Sequence, residues 1–122
     1  MIEGFCWIEA NPFGIGIHWC SAIEVSLRLV SWSVVHSLLA LRDGRAGLFA
    51  ATSSSEDLGN AIFQQVHFVR HFLSRFSSAN NHLVGELTGL LAACTVFDLG
   101  DAGREWAEFA HQELEREAEL QV

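Results

Sequence analysis

The segment "HLVGELTGLLAACTVF", residues 82–97, constrains the fold more than any other part of the chain. A helix at a protein surface shows one apolar stripe, whereas this one is apolar almost all round and has to be covered on every side. Gly85, Gly89, Ala92 and Ala93 fall along one side of it. Small residues there predict a neighbouring helix at close range, so the chain should be built around this segment.

Three other segments read as the cover. In "SAIEVSLRLVSWSVVHSLLALRDG", Ile23, Leu27, Val30, Val34, Leu38 and Leu41 recur at spacings of three and four, with Ser21 to start a helix and Gly44 to end it. "SSSEDLGNAIFQQVHFVRHFLSRF" opens with Ser53 three residues before Glu56, the spacing of a capping box, and repeats Ile62, Val66, Val69 and Leu73. "DAGREWAEFAHQELEREAELQV" has Asp101 as a possible cap and Trp106, Phe109 and Leu114 on its inner side. Nothing alternates with the period of a half-buried strand, and the sole proline, Pro12, precedes the helices. The expectation is an all-α fold, a single helical domain over residues 1–122. Its four helices would form paired antiparallel hairpins that close as a bundle or belong to a larger ring.

Composition limits the functions available. With 50% hydrophobic and only 18% charged residues, the domain is apolar for its size, which suggests a surface meant to be covered. No uninterrupted apolar run reaches the roughly eighteen residues of a membrane span; Leu83–Phe97 comes nearest and is broken by Glu86. No membrane partner is expected. The opening "MIEGFCWIEANPFG" lacks the basic start and apolar core of a secretory signal. Cys6, Cys20 and Cys94 are odd in number and far apart, giving neither a disulfide framework nor a zinc motif, and they read as small buried apolar residues. A net charge of −8, with seven arginines and no lysine, argues against nucleic acid. From Asp101 to Val122, seven acidic residues stand against two arginines, the mark of a solvated helix face.

The polar cluster "SSANNHLVGE" stands where the central helix begins. Asn80 or Asn81 could cap that helix, since an asparagine oxygen accepts from an orphan backbone amide. The amide nitrogen donates as well, and beside a helix N-terminus it makes a site for a carboxylate. Spacing alone favours the cap. His82 and Glu86 lie four apart, so the carboxylate could orient the ring. His67 and His71 share that spacing, which can place two imidazoles on one metal, but with no third ligand in the motif the favoured reading is that they face solvent or a polar neighbour, and no metal or cofactor is expected. Glu24 and Arg28 form a favourable pair one turn apart, worth about 0.2–0.5 kcal/mol on a surface. Trp7, His18, Trp19, Trp32 and Trp106 could stack on sugar rings or fill the core, the commoner fate of tryptophan. A Ser-based hydrolase is set aside for want of a Gly-x-Ser-x-Gly elbow.

Two blocks, read together, resemble a known family. "NPFGIGIHWCSAIEVSLRLVSW", with His18, Trp19, Glu24, Arg28 and Trp32, and "SSANNHLVGELTGLL", with Glu86, are similar to the helical part of the heparinase II/III type of polysaccharide lyases, a group that includes alginate lyases. The resemblance runs from about Trp7 to the end of the chain. It implies a partial (α/α) toroid, followed in the family by a β-sandwich, and a cleft for an acidic, uronate-containing polysaccharide that is cut by β-elimination. By the same match Asn81 would neutralise the uronate carboxylate and His82 would bind or deprotonate substrate. Asn80, His18, Trp19, Arg28 and Glu86 would line the substrate site, and a periplasmic or secreted location would follow.

The chain departs from that pattern at one decisive place. The family's usual acid/base is a tyrosine, and this sequence has none. Nor is there room for a sandwich after four helices. The chain is therefore expected to be either an N-terminal fragment of a longer lyase or a truncated relative, the apolar composition favouring the fragment. Further regions of the same chain, or a second copy, would then cover the apolar face. Little or no lyase activity is expected of the chain alone. A carbohydrate-binding module and a helical dimerisation module remain the alternatives. An anionic substrate also needs local cations against the net charge, and Arg28, Arg70 and Arg75 are the candidates.

Overall fold

The computed structural model describes residues 8, 10–14, 16, 19, 21–43, 47–51, 55–75 and 79–121. Among them are four helices: α1 (Ala22–Asp43), α2 (Ser55–His71), α3 (Ala79–Val96) and α4 (Gly100–Gln121), with a 3-10 turn at Gly47–Ala51. No strand occurs among the described residues. The fold is all-α, and α3 packs against α1, α2 and α4 as its all-round apolar character demands.

The α1–α3 contact is set by small residues. A Cβ on Gly89 would stand 2.6 Å from the backbone oxygen of Ser26, and one on Gly85 would stand 2.6 Å from Ile23 Cδ1. The facing side of α1 is correspondingly small. Ala22, Val25, Ser26, Leu29 and Ser33 are buried. The serines fit because each satisfies its own hydroxyl: Ser26 Oγ donates to Ala22 O at 2.8 Å and Ser33 Oγ to Leu29 O at 2.7 Å.

This corrects the expected inner face of α1. Leu27, Val34, Leu38 and Leu41, read as the stripe facing the core, are exposed, Leu38 by 61% and Leu41 by 86%. The spacing of three and four is present on two adjacent faces. The closer packing against glycines goes to the face of smaller residues, because a row of leucines cannot come within that distance. Beside the exposed stripe, Val30, Val34, Leu38, Ala92 and Val96 line an open apolar groove of about 280 Å³ with Ser33 and Ser37. Residues Ala22–Arg42 are also long and apolar enough to cross a membrane by length and composition alone, so α1, rather than Leu83–Phe97, comes nearest to a span.

The other helices follow their patterns more closely. In α2, Leu58, Ala61, Ile62, Gln65, Val66 and Val69 are buried; Leu73 lies just past the helix end and is half-buried. In α4, Trp106, Phe109 and Leu114 pack on the core around the buried Gly103 and Ala110. Its start is held by Asp98, whose Oδ1 accepts from Gly100 N at 3.1 Å, while the expected cap Asp101 pairs with Arg104. The Ser53 capping box, Gly44, Cys6 and Cys20 lie outside the described residues. Cys94 is half-buried, and burial pushes its thiol up to about 12.

Candidate functional site

Helix α3 begins at Ala79, so Asn80 and Asn81 lie within its first turn. Asn81 is exposed, as is His82 beside it. Both stand at the positive end of the α3 dipole, where an anion is favoured. The side chain of Asn80, and His18 altogether, lie outside the described residues.

Glu86, one turn further on, has a different place. It is fully buried, and its carboxylate is taken up by Ser74, which donates its backbone N–H to Oε2 at 2.9 Å and its hydroxyl to Oε1 at 2.6 Å. It thus ties the segment after α2 to α3 and does not orient His82. Its own backbone oxygen accepts from Ser26 Oγ at 3.4 Å, which links the same turn to α1. Two charge-assisted bonds hold the entry into α3, each worth about 1.5–3 kcal/mol.

Arg28 and Trp19 also serve the packing. Arg28 Nε donates to Gln65 Oε1 at 2.7 Å, bridging α1 to α2, and Gln65 Nε2 in turn donates to Ala61 O at 3.2 Å. Burial pulls the Arg28 guanidinium below its ordinary value, partly offset by the charge of Glu24. The Trp19 ring is buried, edge-on to Phe13 at 5.0 Å and Phe68 at 5.5 Å, with the Arg28 guanidinium 5.7 Å from its centre. That ring is not a platform open to a sugar. The guanidinium of Arg70 lies 3.8 Å over the Phe109 ring, whereas Arg75 is exposed and pairs with Glu113 at 3.4 Å.

Of the residues singled out in the two blocks, Asn81 and His82 are the described pair that reaches solvent together. Trp19, Arg28 and Glu86 stand behind, inside the helix contacts. Sequence reasoning missed Ser74 and Gln65. Gln65 was findable, since it lies three residues from Ile62 on the buried face of α2; Ser74 carried no signal, because its role depends on a partner twelve residues away. Compared with known protein families, curated proteins and solved structures, the chain shows no significant match.

Proposed function

We propose that this chain is the helical part of a lyase that cleaves uronate-containing polysaccharide by β-elimination, with Asn81 and His82 at the substrate. The observation that carries the reading is the division within one motif: two polar side chains are offered to solvent on the first turn of α3, and the acid one turn later is buried as their anchor. A cap would need one of these residues; an anchored, presented pair fits a ligand. The finer architecture, paired hairpins forming part of an (α/α) toroid, belongs to the same proposal.

The chemistry follows from the groups. The proton beside a uronate carboxylate is reluctant to leave because the resulting carbanion would add a second negative charge to the carboxylate's own. The Asn81 amide N–H, donating to that carboxylate at a helix N-terminus, lowers this cost. His82 offers an imidazole nitrogen beside it that, in the neutral ring, can accept the proton. The electron pair of the broken C–H bond becomes the new double bond, and the glycosidic oxygen leaves and must be protonated. An amide such as Asn81 is too weak an acid to supply that proton, and the sequence has no tyrosine to do so. Binding with little or no turnover is therefore expected of the chain by itself.

Titration with oligosaccharides of alginate, heparan sulfate and hyaluronan, followed by calorimetry and by the absorbance of the unsaturated product, tests this. One of the three should bind, and Asn81→Ala should abolish binding while the helical circular dichroism is kept. Binding indifferent to both Asn81→Ala and His82→Ala would sink the reading. A second reading, a helical assembly module, is favoured by the exposed Leu27, Val34, Leu38 and Leu41 on α1. It predicts concentration-dependent association and no sugar binding at all.

A further inference from the structure

Helices α2 and α4 bring together a cluster that the proposed function does not use. His67 and His71, one turn apart on α2, have ring centres 4.2 Å apart with planes tilted by 32°. Trp106 of α4 lies 6.1 Å from the first ring and 6.2 Å from the second, and Phe63 closes the side at 5.4 Å from Trp106. His71 is exposed and His67 half-buried, so the pair is open to solvent along one edge.

The hydrogen bonding sets the tautomer of one ring. His71 Nδ1 lies 2.8 Å from the backbone oxygen of His67. A carbonyl oxygen only accepts, so Nδ1 carries the proton, and the neutral ring presents its lone pair at Nε2. This is the arrangement in which metal-binding histidines are commonly held, one nitrogen donating to a carbonyl and the other free to coordinate. Metal–nitrogen bonds of about 2.0–2.1 Å let two nitrogens up to roughly 4 Å apart share one ion. The ring centres are 4.2 Å apart with planes tilted by 32°, so sharing one ion requires His67 to turn its ring until its lone pair converges with that of His71 Nε2, the His71 Nδ1–carbonyl bond being kept.

We propose that His67 and His71 form a binding site for a borderline divalent transition-metal ion of the Zn(II), Cu(II) or Ni(II) class. Imidazole nitrogen suits these ions and is a poor ligand for Mg(II) or Ca(II), which take oxygen. Among the described residues no third histidine, cysteine or carboxylate joins the pair. With only the described residues as ligands, the remaining coordination positions go to water or to an incoming ligand, and the site is open and exchangeable. The net charge of −8 raises the local concentration of cations around it. The proposal stands apart from the carbohydrate reading and survives or fails without it.

The test is a titration of the full chain, stripped with chelator, with Zn(II) followed by calorimetry and with Cu(II) followed by tryptophan fluorescence, with Mg(II) alongside. Saturable binding of one equivalent is expected, with quenching by Cu(II) through the adjacent Trp106 and no response to Mg(II). His71→Ala, at an exposed position, should keep the helical circular dichroism and weaken binding by about tenfold or more. His67→Ala should do the same, and if it unfolds the chain, the His71→Ala result decides alone. His111→Ala removes a histidine elsewhere on α4, one turn from Glu115 at 3.8 Å, and should leave binding unchanged. The site is overturned if His71→Ala binds as the parent does, if His111→Ala removes the binding instead, or if no saturable binding occurs below about 1 mM.

Discussion

Glu86 and His36 show how single polar residues hold this apolar chain together. Replacing Glu86 by Ala leaves the Ser74 amide and hydroxyl without their acceptor and opens a void in the core, so a stability loss of about 2–4 kcal/mol is expected in urea unfolding. Asn81→Ala, at an exposed position, should cost far less, and the contrast separates anchor from presented group. His36 accepts the Leu48 N–H at its Nδ1 at 3.2 Å and packs against Phe97 at 4.8 Å. Burial lowers its pKa below the ordinary 6.5, so the unfolded chain takes up this proton at a higher pH than the folded one. The His36 contribution is thus intact above 6.5 and is lost as pH falls through 6.5 toward the folded value. Thermal midpoints should drop between neutral and mildly acidic pH, and His36→Gln should flatten that slope. An unchanged slope would show that protonation of His36 does not release the Gly47–Ala51 turn.

At the scale of elements, the α1–α3 contact is the one with least tolerance. Gly89→Ala would drive a methyl against the Ser26 backbone, which cannot swing aside as a side chain can. A loss of about 1–3 kcal/mol is expected, with Gly85→Ala milder because it meets only the tip of Ile23. If chemical denaturation finds the two variants equal, the helices are not held at the distance described. The position of α3 was legible in its letters: a segment apolar on all sides has few places to go but the middle, and its glycines foretold a close neighbour. The face of α1 was not legible, because Leu27–Val34–Leu38 and Val25–Leu29–Ser33 carry the same period. Only the steric demand of Gly85 and Gly89 chooses between them.

For the whole molecule, the consequence of that choice is an apolar stripe on the outside. Leu27, Val34, Leu38 and Leu41 stand together with the groove formed by Val30, Ala92 and Val96. Such a surface should bind a hydrophobic dye and promote association as concentration rises. The double variant Leu38→Glu with Leu41→Glu should suppress both, with little change in helical content, since neither side chain is buried. Sedimentation velocity of parent and variant checks this directly; identical behaviour would mean that the stripe drives nothing.

The sequence by itself determined that the chain is helical, that residues 82–96 belong to the central helix, and that Asn81 and His82 stand together near its start. These are local properties, set by spacing and by backbone geometry within a turn or two. The tertiary structure decided which face of α1 is inside, that Trp19, Arg28 and Glu86 support the packing, and that His67, His71 and Trp106 meet. Each of these depends on which side chain another helix brings opposite. A residue's own letter carries its size and charge but not its partner, and burial of a charge such as Glu86 is stable only where a donor such as Ser74 is already in place.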